Sequence, residues 1–162
     1  MNLSVFDPVF ENAAPDSFVL LQIAGDRFAL PANIIAELAP PVRLHAFPHT
    51  SPLLTGVIVR RGRIVPVFDA GRALSGNSSL GHRFYLIARH QIGGFAEMGA
   101  IPVDGECELV SGTAQPPAEN HPSYITAQIA AGRKSVGVLD LHEFIRFHTE
   151  AARQAATAER VV

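Results

Sequence analysis

GVIVRRGRIVPVFDAGRAL, residues 56–74, holds two apolar runs separated by a short charged segment. Residues 57–59 and 64–68 are rich in β-branched side chains, which suit a pleated, packed surface. Arg60, Arg61, Gly62 and Arg63 between them combine polarity with the backbone freedom that a tight reversal needs. The stretch therefore predicts a β-hairpin that displays an arginine at its turn. Asp69 follows the second run and is placed to cap a short helix over residues 70–74.

Working outward, the same grammar recurs. Residues 18–23 and 27–30 predict a strand pair around a turn at Gly25 and Asp26. Pro31 then fits the first turn of a helix over 32–38, which Pro40 and Pro41 stop, and 42–47 returns as a strand. The polar, glycine-punctuated residues 75–82 mark a boundary between halves. Beyond it, 83–89 and 95–103 predict strands joined at Gly93 and Gly94, with a further turn at Asp104 and Gly105. A proline-containing loop over 111–123 leads to strands at 124–129 and 135–139. Leu141, Phe144, Ile145 and His148 then recur at helical spacing, and 150–162 reads as a helical extension.

The chain carries a weak internal repeat. Val65, Val67, Asp69 and Leu74 are followed 71 positions later by Val136, Val138, Asp140 and Ile145. Each half reads strand, turn, strand, aspartate, helix. Many short strands at regular spacing, several of them apolar on both faces, predict small barrels packed against each other. The expected organisation is an N-terminal tail over 1–16, one folded unit over 17–149 with halves at about 17–78 and 79–149, and the extension over 150–162.

Composition narrows the function classes. Of the 162 residues 48% are hydrophobic and 17% charged, which argues for a packed domain rather than disorder. No apolar run approaches the roughly 20 residues of a membrane span. The N-terminal segment lacks the plan of a secretory signal, so a cytoplasmic protein without direct membrane insertion is expected. Thirteen basic and 15 acidic side chains give a net charge of -2, and beyond residues 60–63 there is no basic stripe, so nucleic acid is not an expected partner.

Catalytic and metal-binding patterns are equally scarce. Cys107 is the single cysteine, and flanking Glu106 and Glu108 are expected to raise its pKa and make it inert. The pairs His45 with His49 and His142 with His148 lack a nearby third ligand, so no metal and no cofactor are expected. Asp69 and Asp140 each follow a strand immediately before a helical turn, where capping explains them better than paired acid and base. There is no nucleophile elbow, P-loop or dinucleotide fingerprint, so no enzymatic activity is expected.

Gly56, Val57, Arg61, Gly62, Ile64, Pro66, Val67, Asp69, Arg72 and Leu74 fall on positions of a segment shared by the adaptor CheW and its relatives, and the chain resembles that family. The likeness extends to residues 18–30, to 34–38, and to Tyr124, Ile125, Gly132, Val138, Leu139, Asp140 and Leu141. It implies a mainly β fold of two small five-stranded SH3-like barrels in one CheW-like unit, with short helices and a C-terminal helix. It also implies a non-catalytic adaptor whose partners are a CheA-type histidine kinase and the cytoplasmic tip of a chemoreceptor, in chemotaxis or motility signalling. Family positions for partner binding fall on Arg61, Gly62, Gly56, Ile35 and Glu37. Arg61 and Glu37 alternatively read as solvated charges, and Gly56 as a site of close backbone packing.

The chain departs from the family in three places. Val59 and Arg60 replace a common Asn-Leu, Ala127 replaces a glycine in the last strand pair, and the segment 99–104 is longer than the family spacing and includes Pro102, whose missing ladder donor predicts a bulge. A different class of function remains as the alternative: a small β-barrel protein with a ligand-binding or catalytic site between its halves.

Overall fold

The computed structural model describes residues 16–46, 48, 51, 53–76, 84–92 and 95–160. Among the described residues nine strands and two helices follow in the order β1 (Ser17–Ile23), β2 (Asp26–Pro31), β3 (Ile35–Ala39), β4 (Leu54–Arg60), β5 (Arg63–Phe68), α1 (Ala70–Ser75), β6 (Phe84–Ile92), β7 (Phe95–Ser111), β8 (Ile125–Ala131), β9 (Lys134–Leu139) and α2 (Leu141–Arg160). A single turn of 3-10 helix, Ala32–Ile34, joins β2 to β3.

The hairpin of β4 and β5 forms as the sequence predicts, with Arg60 opposite Arg63 and Arg61 and Gly62 at the turn. Both turn residues have positive φ, 52° and 78°, the combination a type I′ reversal requires. The hairpin of β8 and β9 occupies the equivalent place, but only Gly132 of its Gly132-Arg133 turn has positive φ. The exchanged order of glycine and arginine is thus a change of turn type from I′ to II′.

The internal repeat is real in three dimensions. In both halves the aspartate N–H donates to the residue preceding the first strand of the hairpin, Asp69 to Leu53 and Asp140 to Tyr124, each at 2.8 Å. Both side chains cap the helix that follows: Asp69 Oδ1 accepts from the Arg72 N–H at 3.1 Å and Asp140 Oδ1 from the Glu143 N–H at 2.9 Å. Both hairpins shift register at the same place, at Gly56 in one and Ala127 in the other.

The strands make two five-stranded barrels, and the repeats exchange strands to build them. In one, β3, β6, the first part of β7, β5 and β4 are neighbours in that order. In the other the order is the last part of β7, then β1, β2, β9 and β8. Isolated bridges, His45 to Val57 and Gln115 to Gln128, link the segment after each first strand back to the last. The sequence halves and the barrels therefore do not coincide, because β1 and β2 pair with strands of the second half.

Burial explains why so many strands are apolar on both faces. Along β1, Phe18 and Leu20 fill one barrel while Val19, Leu21 and Ile23 enter a core shared by the two. Along β6, Tyr85 and Ile87 fill the other barrel while Leu86 and Ala88 enter the shared core. Both helices plug that shared core, α1 through Ala70 and α2 through Leu141 and Phe144.

Four expectations need correction. The predicted helix over 32–38 is one 3-10 turn followed by β3, because a helix that short is marginal whereas β3 gains a ladder with β6 and buries Ile35 and Ala36 on opposite faces. Residues 42–46 contribute only the bridge at His45; Phe47, like the Gly93-Gly94 turn and most of the loop at 75–82, lies outside the described residues. The chain does not reverse at Asp104 and Gly105: β7 continues through them with a register shift against β1, Gly105 taking φ 72°, and so passes from one barrel to the other. Pro102 makes no bulge, since Tyr85 faces it in an unbroken register and β5 pairs with β7 only at Ala100.

Candidate partner-binding surface

The end of the β4–β5 hairpin carries an exposed apolar pair. Val59 and Ile64 are cross-strand partners, 53% and 72% exposed, whereas Ile58, Val65 and Val67 on the opposite face are buried. The alternation along both strands forces this, because each side chain that fills the barrel turns its neighbour outward. Water-exposed Val and Ile on adjacent positions are a surface suited to an apolar partner face.

A charged cluster adjoins the pair. Arg60 donates through Nε to Glu37 Oε1 at 2.9 Å and through Nη2 to the same oxygen. The Arg61 Nη2 stands 3.6 Å from that oxygen. Glu37 is on β3, 23 positions earlier in the chain, and its side chain is only 14% exposed. The structure thus brings together two residues that the sequence singled out separately, Arg61 and Glu37, with Arg60 as the principal partner. Arg60 forms the buried side of the cluster, and the more exposed Arg61, at 39%, retains a guanidinium with donors to offer.

The other candidate positions take structural roles. A Cβ on Gly56 would stand 2.6 Å from the His45 carbonyl oxygen and 3.0 Å from Leu44 Cδ1, so Gly56 permits the close approach that carries the bridge between His45 and Val57. Gly62 supplies the second positive φ of the turn. Ile35 is fully buried in the shared core and presents nothing to a partner, the direct consequence of its strand in place of a surface helix.

Sequence reading passed over Val59, Ile64 and Arg60 as a surface. The signal was present in β5, where Ile64 occupies the outward phase of an alternation anchored by Val65 and Val67. The Arg60–Glu37 pair had none, since nothing local relates β3 to β4.

Two titratable groups elsewhere, Cys107 and His148, are partly buried. Burial pushes the Cys107 thiol up through desolvation, where the sequence pointed to the neighbouring glutamates as the cause. His148 packs against Phe144 at 4.6 Å and Tyr124 at 5.5 Å, and burial holds its imidazole below the ordinary range. His49 lies outside the described residues. Among the described residues no three His, Cys, Asp or Glu side chains are grouped to hold a metal ion, and no helix is long and apolar enough to cross a membrane.

The fold and this surface define a class: a double β-barrel that presents an apolar and charged hairpin end. Residues 17–148 match the CheW-like domain, and the chain belongs to that family of scaffold and adaptor proteins. Among solved structures it is similar to the scaffolding protein TtCheW from Thermoanaerobacter tengcongensis, with a TM-score of 0.66 and 21% identity over 81% of this chain and 88% of that one. No curated protein sequence matches the chain.

Proposed function

We propose that this protein is a non-catalytic adaptor that couples a chemoreceptor to a CheA-type histidine kinase, in chemotaxis or a related motility pathway. The observation that carries the reading is the match to the CheW-like domain over residues 17–148. The hairpin end supplies the chemistry: Val59 and Ile64 offer apolar area, and Arg61 offers a fork of donors to a carboxylate or to helix-end carbonyls of a receptor. Double barrels with distinct surfaces at their two ends suit head-to-tail contacts, which close into rings or extend into arrays. In such an assembly the adaptor fixes receptor and kinase in relation to each other, and small receptor shifts bias the kinase between two arrangements.

The test is reconstitution. The purified chain co-elutes with a CheA-type kinase from its own source and with a soluble receptor fragment, and Arg61→Glu weakens receptor coupling while the melting transition is kept. Absence of kinase binding overturns the adaptor reading; loss of the fold in Arg61→Glu reassigns Arg61 to a structural role.

A further inference from the structure

Among the described residues the parallel ladder between β5 and β7 is the single pair Val67 and Ala100. Nearer the hairpin turn a cavity of about 290 Å³ lies against the first residues of β5. Ile64, Pro66 and Met98 give it apolar walls, and Arg63, Arg89 and Glu97 charged ones. Ile64 is 72% exposed and faces Val59, 53% exposed, across the hairpin. The groove thus opens onto an exposed apolar patch, a combination that marks an interaction surface.

Positive charge dominates this end of the barrel. The ion cluster and the groove together hold four guanidiniums, Arg60, Arg61, Arg63 and Arg89, and two carboxylates, Glu37 and Glu97. Arg60 and Arg63 are cross-strand partners, so the two groups of charges adjoin.

The chain carries a segment with the matching chemistry. Residues 1–15 lie outside the described residues. Within them Val5, Phe6, Val9 and Phe10 place four large apolar side chains in six positions, Asp7 and Glu11 add two carboxylates, and there is no lysine or arginine. Pro8 lacks an N–H and biases Asp7 toward extended backbone, the form that lies along a groove. An apolar, acidic segment therefore stands in the same chain as an apolar, basic groove.

Its length is sufficient. Phe18 pairs with Pro31, the carbonyl of nearby Asn33 accepts from Arg89 Nη2 at 3.3 Å, and Arg89 lines the groove. That path puts the start of β1 on the order of 25 Å from the groove, whereas the chain from Phe6 to Asp16 extends to about 33 Å and that from Phe10 to about 20 Å. Phe6 is the aromatic ring that reaches.

We propose that residues 5–11 fold back over this end of the barrel, with Phe6 seated in the groove against Ile64 and Met98 and with Asp7 and Glu11 facing Arg61 and Arg63. Aromatic rings gain from contact with a thioether and with guanidinium groups, and the groove offers both. The contact lies within one chain, so its failure leaves the adaptor reading untouched; where that reading holds, a partner of the hairpin end must first displace the segment.

Nuclear magnetic resonance on the full chain tests the proposal. The expected result is a set of nuclear Overhauser contacts from the Phe6 ring to the methyl groups of Ile64 and Met98 that persists on dilution. Phe6→Ser is expected to abolish them and to shift the amides of residues 63–65, 97 and 98, and Asp7→Lys with Glu11→Lys to weaken them severalfold. These positions precede residues 17–148, the matched domain, so the fold is retained. Ile64→Ser gives the reciprocal check, moving the amides of residues 5–7 and 9–11 to random-coil positions. Absence of the contacts, contacts that fade on dilution because a second copy supplies them, or contacts indifferent to the charge reversal overturn the proposal.

Discussion

Arg60 on β4 donates both its Nε and an Nη hydrogen to one carboxylate oxygen of Glu37 on β3, tying together two strands that share no ladder. Both side chains are largely withdrawn from water, at 23% and 14% exposure, so the pair is stronger than a surface ion pair. Glu37→Ala is expected to lower stability by about 1.5–3 kcal/mol, the range for hydrogen bonds to charged groups, and Arg60→Ala by a similar amount. Urea denaturation with the double variant checks it: a double-mutant cycle with no coupling refutes the pair's contribution.

At Gly56 the constraint is steric. Gly56→Ala forces a methyl group against the His45 carbonyl and is expected to cost about 1–3 kcal/mol, as overpacking does. Ala127, the equivalent position in the second hairpin, already tolerates a methyl group, so Ala127→Gly is expected to change stability by well under that amount. Equal losses at the two sites in thermal melts would show that the repeat, and not the local approach of residue 45, sets the requirement.

The two capping aspartates give matched predictions. Asp69→Ala and Asp140→Ala are each expected to lower stability by about 1 kcal/mol, whereas the Asn variants keep most of it because Asn caps equally well. Denaturant midpoints distinguish this from a charge effect, which Asn would not rescue.

The exposed apolar pair separates binding from folding. Ile64→Ser is expected to change stability by less than about 0.5 kcal/mol, since the side chain is 72% exposed, while reducing capture of the kinase or receptor fragment. Val65→Ala, one position along, is expected to destabilise by about 2 kcal/mol through a cavity in the barrel. Capture unaffected by Ile64→Ser would remove this face from the partner surface.

Burial holds the imidazoles of His90 and His148 below their ordinary value of 6.5. At His90 desolvation outweighs the opposing pull of Glu97, and His142 lowers it further. Unfolding frees both rings to take up protons, so the unfolded state binds more protons once pH falls toward 6.5, and stability declines as pH drops through and below that value. Urea midpoints from pH 7.5 to 5.5 are expected to fall, and less so in His90→Leu; a pH profile unchanged in that variant would exclude His90 as a source.

Local chemistry decided much of this protein in advance. The hairpin at residues 56–74 forms because β-branched runs flank an Arg-Gly pair able to adopt two positive φ angles, and the helix after it begins where Asp69 can cap it. The same rules, repeated 71 positions later, made the double-barrel plan legible. Pairing between distant strands was not legible. Residues 35–39 suit a helix or a strand by propensity alone, and only the open edge of β6 made them β3, burying Ile35 and turning Glu37 toward Arg60. Likewise Asp104 and Gly105 read as a turn until β6 and β1, from opposite halves, both claimed the same long strand. Turns and caps are set by neighbours in sequence; the ion cluster, the strand exchange and the groove beside Ile64 arise from neighbours that only folding provides.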